Sequence, residues 1–120
     1  MMRSDCFLHW ITQLRVWHWE TVSYATHIAM GSAYDTFTEL TDKYVEVYQG
    51  KNKRLPLPTF EHCPTYVDME YVKDKIRWFK EYLILELCKE LDDKVDSDLL
   101  NLRDEMLGEL NKLSYLLTLS

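Results

Sequence analysis

Apolar residues recur at every third or fourth position along most of this chain, which is the spacing of one face of an α-helix. Four such stretches are separated by polar or proline-containing segments. They predict helices over about residues 4–19, 23–48, 68–91 and 97–118. No stretch shows the strict alternation of a β-strand, so the predicted fold class is all-α.

The predicted core consists of the apolar face of each helix. Its positions are Phe7, Trp10, Leu14 and Trp17; Ala29, Met30, Ala33, Tyr34, Phe37, Leu40, Tyr44, Val47 and Tyr48; Val72, Ile76, Phe79, Leu83, Leu87 and Leu91; and Leu100, Leu107, Leu110, Leu113 and Leu117. Trp19 points nearly away from this face on the first helix. An outward tryptophan needs cover, which predicts that Trp19 contacts a partner subunit.

Residues 51–67 form the one long irregular segment of the chain and hold all three prolines, Pro56, Pro58 and Pro64. The first two helices are joined by only a few residues, which makes an antiparallel hairpin. A connection as long as 51–67 suits a crossover that lets the third helix run parallel to the second. The sequence therefore predicts one domain, residues 1–120, folded as a four-helix bundle with a long crossover between the second and third helices.

Composition narrows the classes of function. The chain has 120 residues and a net charge of −6 without a basic cluster, so DNA binding is not expected. Cys6, Cys63 and Cys88 lie far apart and read as reduced thiols of an intracellular protein. No apolar run approaches the roughly 20 residues of a membrane span, and the first residues lack a signal-peptide pattern. We expect a cytoplasmic protein without a membrane segment.

Residues with metal-binding chemistry are concentrated between Trp17 and Gly50. This stretch contains two of the four histidines, His18 and His27, followed by a run of carboxylates on the second helix. None of the four histidines has a glutamate three residues earlier, which disfavours a di-iron site in the centre of the bundle. The chain also lacks a glycine-rich phosphate loop and the Cys/His spacing of a zinc site.

The carboxylates of the second helix are Asp35, Glu39, Asp42 and Glu46. At 3.6 residues per turn they lie about 60° to 120° around the helix from His27, with the apolar face on the opposite side. They form either a solvated acidic face or a metal site whose remaining ligands come from another subunit or from the helix ends nearby. Asp42 and Glu46 are one turn apart, a spacing at which two carboxylates can share a cation. Imidazole with carboxylate suits iron, zinc or manganese.

The same residues resemble the Dps-like miniferritins of the ferritin-like superfamily over roughly residues 10–50. His18-Trp19 is similar to the His-Trp pair that ends the first helix of that family, and His27 to the histidine that opens the second. Asp42 and Glu46 follow at the family's spacing from His27. The surrounding sequence segments, SYATHIAMGSAYD and VEVYQGK, also resemble those of small uncharacterised Dps-like proteins of tailed phages and other large DNA viruses.

The resemblance implies a ferritin-like bundle with a ferroxidase centre between two subunits. His18 and His27 would come from one chain, and Asp42 and Glu46 from its two-fold mate. Iron(II) would be oxidised there by peroxide or oxygen in a homo-oligomer, at least a dimer, joined through the first two helices. Asp35 and Glu39 are additional candidate ligands.

Two departures from the family favour an alternative function. Gly31 stands one turn after His27, where the family has an acid that Asp35 would have to replace, and the nine-residue step from His18 to His27 is shorter than in the family. The alternative is a non-catalytic structural or interaction protein, such as a viral accessory protein in the host cytoplasm or a virion component. A DNA-protecting protein is a third, weaker alternative.

Overall fold

The computed structural model describes residues 4–56 and 68–119, whose regular structure consists of four α-helices with one π-helical and one 3₁₀ turn. The α-helices are α1 (Ser4–Glu20), α2 (Tyr24–Lys51), α3 (Met69–Glu81) and α4 (Ser97–Leu117). Within those residues there is no strand, so the predicted all-α class is confirmed. Among the same residues no helix is both long enough and apolar enough to cross a membrane.

Two of the helix starts are fixed by polar side chains of the residues just before them. The hydroxyl of Ser23 accepts a hydrogen bond from the backbone N–H of Thr26, at 3.3 Å, and begins α2. The carboxylate of Asp68 accepts from the N–H of Tyr71, at 2.8 Å, and begins α3. Both satisfy an N–H that has no partner within its own helix.

The centre of the bundle is an aromatic cluster around Trp10, which is fully buried. Its ring stacks on that of Phe79 with centroids 5.0 Å apart, and it meets Phe37 and Trp17 edge to face at 5.7 and 6.0 Å. Stacked and edge-to-face contacts are the favourable geometries for aromatic pairs. The predicted stripe of α1 is confirmed, since Phe7, Trp10, Leu14 and Trp17 are all 0% exposed.

Ring contacts also give the directions of the helices. Phe7, near the start of α1, contacts Tyr44 of α2 and Phe79 of α3, and Trp17, near the end of α1, contacts Tyr71 of α3. Helices α2 and α3 therefore both run antiparallel to α1 and parallel to each other. Residues 57–67, on which most of the predicted crossover falls together with Pro58, Pro64, His62 and Cys63, lie outside the described residues.

The register of α4 differs from the prediction in its first half. Leu99 and Met106 are fully buried, whereas Leu100 and Leu107, the predicted core positions, are only partly buried. The row Leu99, Met106, Leu110, Leu113 and Leu117 keeps one continuous face, because its members are separated by seven, four, three and four residues. The prediction was wrong because leucines occupy two adjacent rows at the start of this helix.

The third predicted helix, 68–91, is not α-helical to its end. After Glu81 the chain forms a π-helical turn, Tyr82–Glu86, and then a 3₁₀ turn, Leu87–Glu90. The backbone N–H of Leu87 bonds to the carbonyl of Tyr82, five residues earlier. This wider turn aligns Tyr82 with Leu87, which would be about 140° apart on an α-helix, and both are buried.

Helix α2 extends three residues beyond its predicted end, and its last residue is anchored on α4. The ammonium group of Lys51 lies 3.0 Å from the carboxylate of Asp96 and 2.7 Å from that of Asp98, and it donates to the carbonyl of Val95. The sequence places Lys51 at the start of the irregular segment 51–67, whereas in the structure it is the last residue of α2. Sequence shows no contact across 44 or more residues, so only the folded chain reveals this Lys51 clasp.

The clasp shifts the pKa values of its members. Hydrogen bonds to the two carboxylates raise the pKa of Lys51. Hydrogen bonds from the backbone of Asp92 and from Lys51 lower the pKa of Asp96, and the bond from Lys51 lowers that of Asp98. Each shift favours the charged form at neutral pH.

Candidate functional site

The turn between α1 and α2 brings His18 and His27 face to face. Only residues 21–23 separate the helices, and the N–H of Thr21 donates to the carbonyl of Trp17 at 3.0 Å, which extends the last turn of α1. The cap at Ser23 places His27 in the first turn of α2. The last turn of one helix and the first turn of the next therefore present their histidines to each other.

The two histidines are joined by reciprocal hydrogen bonds. Nδ1 of His18 lies 2.7 Å from the carbonyl oxygen of His27, and Nδ1 of His27 lies 2.8 Å from the carbonyl oxygen of His18. The rings stack with centroids 3.8 Å apart and an interplanar angle of 18°. Because a carbonyl oxygen only accepts, both Nδ1 atoms carry the hydrogen and donate it. We call this arrangement the His18–His27 pair.

The hydrogen-bonding pattern decides which nitrogen is left for a ligand. A neutral imidazole with its hydrogen on Nδ1 has a lone pair on Nε2. An Nδ1–H donated to a backbone carbonyl is the support that proteins commonly give to a histidine that ligates a metal through Nε2. The pair also has a structural effect, since His27 supplies a partner to a carbonyl in the last turn of α1 that has none within its helix.

Gly31 makes room for the ring of His18. A Cβ at position 31 would lie 2.8 Å from Cε1 and 2.9 Å from Nδ1 of His18, closer than real Cβ contacts, and 3.7 Å from Nε2. The imidazole of His18 thus lies directly on the backbone of α2, one turn after His27, with its Cε1–Nδ1 edge turned toward that backbone. Asp35 lies one turn after Gly31 on the same face of α2, and the other carboxylates of the helix follow beyond it.

Apolar side chains stand in water around the pair. Trp19 is 70% exposed and Val22 fully exposed, and the surface continues with Tyr24 and Ile28 of α2. We call these four residues the apolar tip. Four large apolar side chains exposed around one turn favour an interaction surface more than a single exposed side chain does. The predicted outward position of Trp19 is confirmed.

Asp42 and Glu46 lie at the other end of the hairpin, where the last turns of α2 flank the start of α1. Both are exposed and line a groove of about 290 Å³, together with the apolar residues Leu8 and Val45. Thr41 also lines this groove; it is 5% exposed, and its hydroxyl has no hydrogen-bond partner among the described residues. We call this feature the acidic groove.

One chain does not bring the histidines and these acids together. Asp42 follows His27 by 15 residues on the same straight run of α2, which corresponds to about 22 Å at 1.5 Å per residue. Asp35 and Glu39 lie between them on the same side of the helix and are exposed. Within residues 4–56 and 68–119 there is no group of three or more His, Cys, Asp or Glu that would hold a metal ion.

The remaining histidine and cysteines of the described residues lie elsewhere. His9 is buried against Trp78, and its Nε2 is 3.3 Å from the ammonium group of Lys75, which donates to it. Neither Cys6 nor Cys88 forms a disulfide with a described residue, and Cys88 accepts a hydrogen bond from Arg103. His9 therefore uses its Nε2 inside the bundle and is not available to the surface that carries His18.

Sequence reasoning missed two residues of this region. Gly31 was interpreted only as a lost acid, although a glycine inside a long helix costs about 1 kcal/mol relative to alanine and so signals a packing requirement. Thr41 was not singled out at all. Nothing in the sequence marks its hydroxyl, because its burial depends on how α1 lies across α2.

Comparison with known proteins gives a family without a described activity. A protein-family model, described as a family of unknown function (DUF5856), matches residues 18–117. The matched span begins at His18 and takes in His27, Asp42 and Glu46. The comparison with curated proteins finds no match, and the comparison with solved structures finds none.

Proposed function

The chain belongs to DUF5856, a family of unknown function, and we propose that it binds iron at sites that two copies of the chain complete together. The observation that carries this proposal is the His18–His27 pair. Its reciprocal Nδ1 hydrogen bonds leave both Nε2 atoms with lone pairs on adjacent, oriented rings. In this proposal the two imidazoles supply the neutral ligands of a transition-metal site, whose anionic ligands come from elsewhere.

The missing anionic ligands are supplied, in this proposal, by Asp42 and Glu46 of a second copy. The separation of about 22 Å along α2 rules out that one copy supplies both halves without unfolding the helix. A two-fold axis near the middle of α2 would bring the histidines of each copy to the carboxylates of the other. Such an isologous contact makes two equivalent sites at once and closes on itself.

The surfaces at the two ends of the hairpin have matching chemistry. The apolar tip at the histidine end contains Trp19 and Tyr24, and the acidic groove at the other end has apolar walls that include Leu8 and Val45. Docking the tip against the groove would remove both apolar surfaces from water, which is the main driving force for association. The same contact would bring the imidazoles toward Asp42 and Glu46.

In this assembly the four side chains divide the coordination chemistry. His18 and His27 would hold the iron through neutral Nε2 atoms, with Asp42 as a bridging and Glu46 as a chelating carboxylate, while Asp35 and Glu39 are additional candidate ligands nearby. Iron(II) is the substrate, and its oxidation by peroxide or oxygen is the ferroxidase reaction that we propose. Zinc or manganese are accepted by the same ligand types and would occupy the site in its place. The parallel course of α2 and α3 supports a ferritin-like connection between them.

The test is the double variant Asp42→Ala, Glu46→Ala, compared with Glu105→Ala, Glu109→Ala. The control pair has the same one-turn spacing on α4. Anaerobic calorimetric titration with iron(II) reports binding, and absorbance after addition of peroxide or oxygen reports oxidation. We expect the first double variant to lose both and the control to keep both. Unchanged binding and oxidation in the Asp42, Glu46 variant would refute the proposal.

A second candidate function is that of a non-catalytic structural or interaction protein, as a viral accessory protein or a virion component. The packing of His18 on Gly31 favours this candidate. The imidazole of His18 fills the space that an acidic side chain at position 31 would need. The pair would then serve only to fasten α1 to α2. Protein purified without chelators and containing no iron, zinc or manganese would support this candidate over the first.

A further inference from the structure

A groove of about 580 Å³ lies between α3 and the last two turns of α4, away from the histidines and the carboxylates discussed above. Its apolar lining comes from Met69, Ile76 and Leu117. Ile76 and Leu117 belong to the buried core, so the groove opens onto the edge of that core. We call it the α3–α4 groove. From Met69 to Lys80 along α3 it extends about 17 Å.

One wall of the α3–α4 groove is basic. Lys73, Arg77 and Lys80 line it at i, i+4 and i+7, which places them within an arc of about 60° on α3. None of its lining residues in the described part of the chain is acidic. This local excess of cations runs against a chain with 20 acidic and 14 basic residues. The groove therefore offers a positive edge beside an apolar floor.

Two of the three cations of this edge have an acidic neighbour on α3. Glu70 lies 3.7 Å from Lys73, and Asp74 lies 2.8 Å from Arg77, in pairs whose side chains are all more than half exposed. Exposed pairs of this kind are weak and exchange readily with other partners. A ligand anion held beside the apolar floor would be partly shielded from water, where its attraction to the same cations is stronger.

We propose that the α3–α4 groove binds a free fatty acid, an amphiphile with one carboxylate and an unbranched acyl chain. The chain would lie on Met69, Ile76 and Leu117, and the carboxylate would accept hydrogen bonds from Arg77 and the adjacent lysines. A guanidinium is suited to this because it matches a carboxylate with two parallel N–H donors. The long stems of the lysines cover apolar surface while their ammonium groups stay in water.

The chemistry of the groove favours a fatty acid over small inorganic anions, neutral lipids and membrane surfaces. A small inorganic anion would leave the apolar floor exposed, and a neutral lipid would leave the three cations unused. An anionic membrane surface extends well beyond the groove and would meet the rest of a chain whose net charge is −6. A fatty acid contacts the apolar floor with its acyl chain and the basic edge with its single carboxylate, and it does not extend far beyond the groove. The proposal does not depend on the metal site.

Calorimetric titration of the full chain with octanoate, decanoate and laurate, each below the concentration at which it forms micelles, tests the proposal. We expect saturable binding of one molecule, with the affinity rising about fourfold for each added methylene, as burial of CH₂ groups requires. Dodecyl maltoside and dodecyltrimethylammonium have the same chain with a neutral or cationic head. We expect both to bind at least about tenfold more weakly than laurate, since they lose the charge-assisted hydrogen bonds.

The double variant Arg77→Glu, Lys80→Glu should weaken laurate binding by about tenfold or more. Lys112→Glu is the matched control, because Lys112 is exposed on α4 about 160° around the helix from Ser114, which lines the groove. Circular dichroism checks that each variant is folded. Equal laurate affinity in the double variant and the wild type would overturn the proposal, as would absence of saturable binding to the wild type.

Vesicles containing an anionic phospholipid separate the groove from a membrane surface. We expect no cosedimentation with them that competes with laurate. Cosedimentation that the Arg77→Glu, Lys80→Glu variant loses, without any binding of monomeric laurate, would overturn the fatty-acid proposal and assign the basic edge to a membrane. Binding of the cationic amphiphile as tightly as laurate would show that the groove recognises only the alkyl chain, which also contradicts the proposal.

Discussion

His18 and His27 each donate Nδ1–H to the other's backbone carbonyl, at 2.7 and 2.8 Å, with their rings stacked 3.8 Å apart. The pair fastens the last turn of α1 to the first turn of α2 and fixes the tautomer of both rings. The ring of His18 fits only because position 31 has no side chain. Three consequences of this arrangement and of the surfaces around it are open to measurement, and a fourth prediction concerns the Lys51 clasp at the other end of α2.

Gly31→Ala should break the His18–His27 pair. The new methyl group would meet the imidazole at 2.8 Å, so His18 must leave its place on α2 and give up its hydrogen bond. Overpacking of this kind costs about 1–3 kcal/mol, partly offset by the better helix propensity of alanine, and we expect a lower melting temperature. Nitrogen-15 spectra of the histidine rings should show that His18 loses its fixed Nδ1–H tautomer.

Gly108→Ala is the control for that variant. A Cβ at position 108 meets nothing within 4 Å, so this substitution removes a glycine from a helix without a collision. We expect it to raise the free energy of unfolding by about 0.5–1 kcal/mol and to leave the histidine spectra unchanged. Stabilisation of both variants to the same extent would contradict the role assigned to Gly31.

Mixing two inactive variants should restore part of the iron sites if these sites lie between subunits. One variant is His18→Ala, His27→Ala, and the other is Asp42→Ala, Glu46→Ala. A mixed dimer has one site with all four ligands and one with none, so random exchange should restore about a quarter of the wild-type sites. Iron(II) bound per chain at saturation measures this. No recovery after verified subunit exchange would argue against ligands from two chains.

Substitutions of Trp17 and Trp19 should have different effects, the first on folding stability and the second on self-association. Trp17 is 0% exposed in the core and Trp19 is 70% exposed in the apolar tip. Trp17→Ala should cost about 3–5 kcal/mol of stability. Trp19→Ala should leave the free energy of unfolding of the isolated chain almost unchanged and weaken self-association, which sedimentation equilibrium measures. Self-association that survives Trp19→Ala unchanged would remove the apolar tip from the interface.

The Lys51 clasp should make stability depend on pH at both extremes. Asp96 and Asp98 have pKa values below their ordinary 3.8, so their contribution is complete above about pH 4 and is lost as pH falls through the lowered values. The pKa of Lys51 is raised above 10.5, so its contribution is complete below about pH 10 and is lost at higher pH.

The acidic side of this window is tested by melting temperatures of the wild type and of Lys51→Met. They are measured from about pH 2 to pH 8 in steps of about one pH unit. We expect the variant to melt lower at neutral pH and the difference to vanish at the most acidic points. Lys43→Met removes an exposed lysine of the same helix and should show no such pH-dependent difference. A gap between Lys51→Met and wild type that persists at pH 2 would contradict the assignment to Asp96 and Asp98.

Much of the fold was predictable because helical periodicity is a local property. The buried residues of α3 follow the apolar spacing, and those of α1 include its whole predicted stripe together with Cys6, His9 and Gln13, which the spacing did not predict. The predicted start of the second helix at residue 23 agrees with the cap at Ser23. The buried face at the start of α4 was not predictable, because two adjacent rows of the helix both carry leucines at helical spacing. Packing against α2 and α3 chose Leu99 and Met106 over Leu100 and Leu107.

The candidate site divides in the same way. The residue types and the outward direction of Asp42 and Glu46 followed from helical geometry, and the structure has both exposed. The contacts of His18 did not follow, because they depend on the angle and distance at which α1 crosses the first turns of α2. That crossing also gives Gly31 its meaning, which sequence alone presented as an absent ligand.

Local periodicity was sufficient to predict four amphipathic segments, the approximate ends of three of the helices and the face on which each carboxylate lies, because these depend on residues within a few turns of one another. Packing between helices decides that His18 and His27 bond to each other, that Lys51 reaches Asp96 and Asp98, and that α3 and α4 leave a basic apolar groove. Each of these joins residues on different helices, and their contacts depend on how the helices pack rather than on any local pattern.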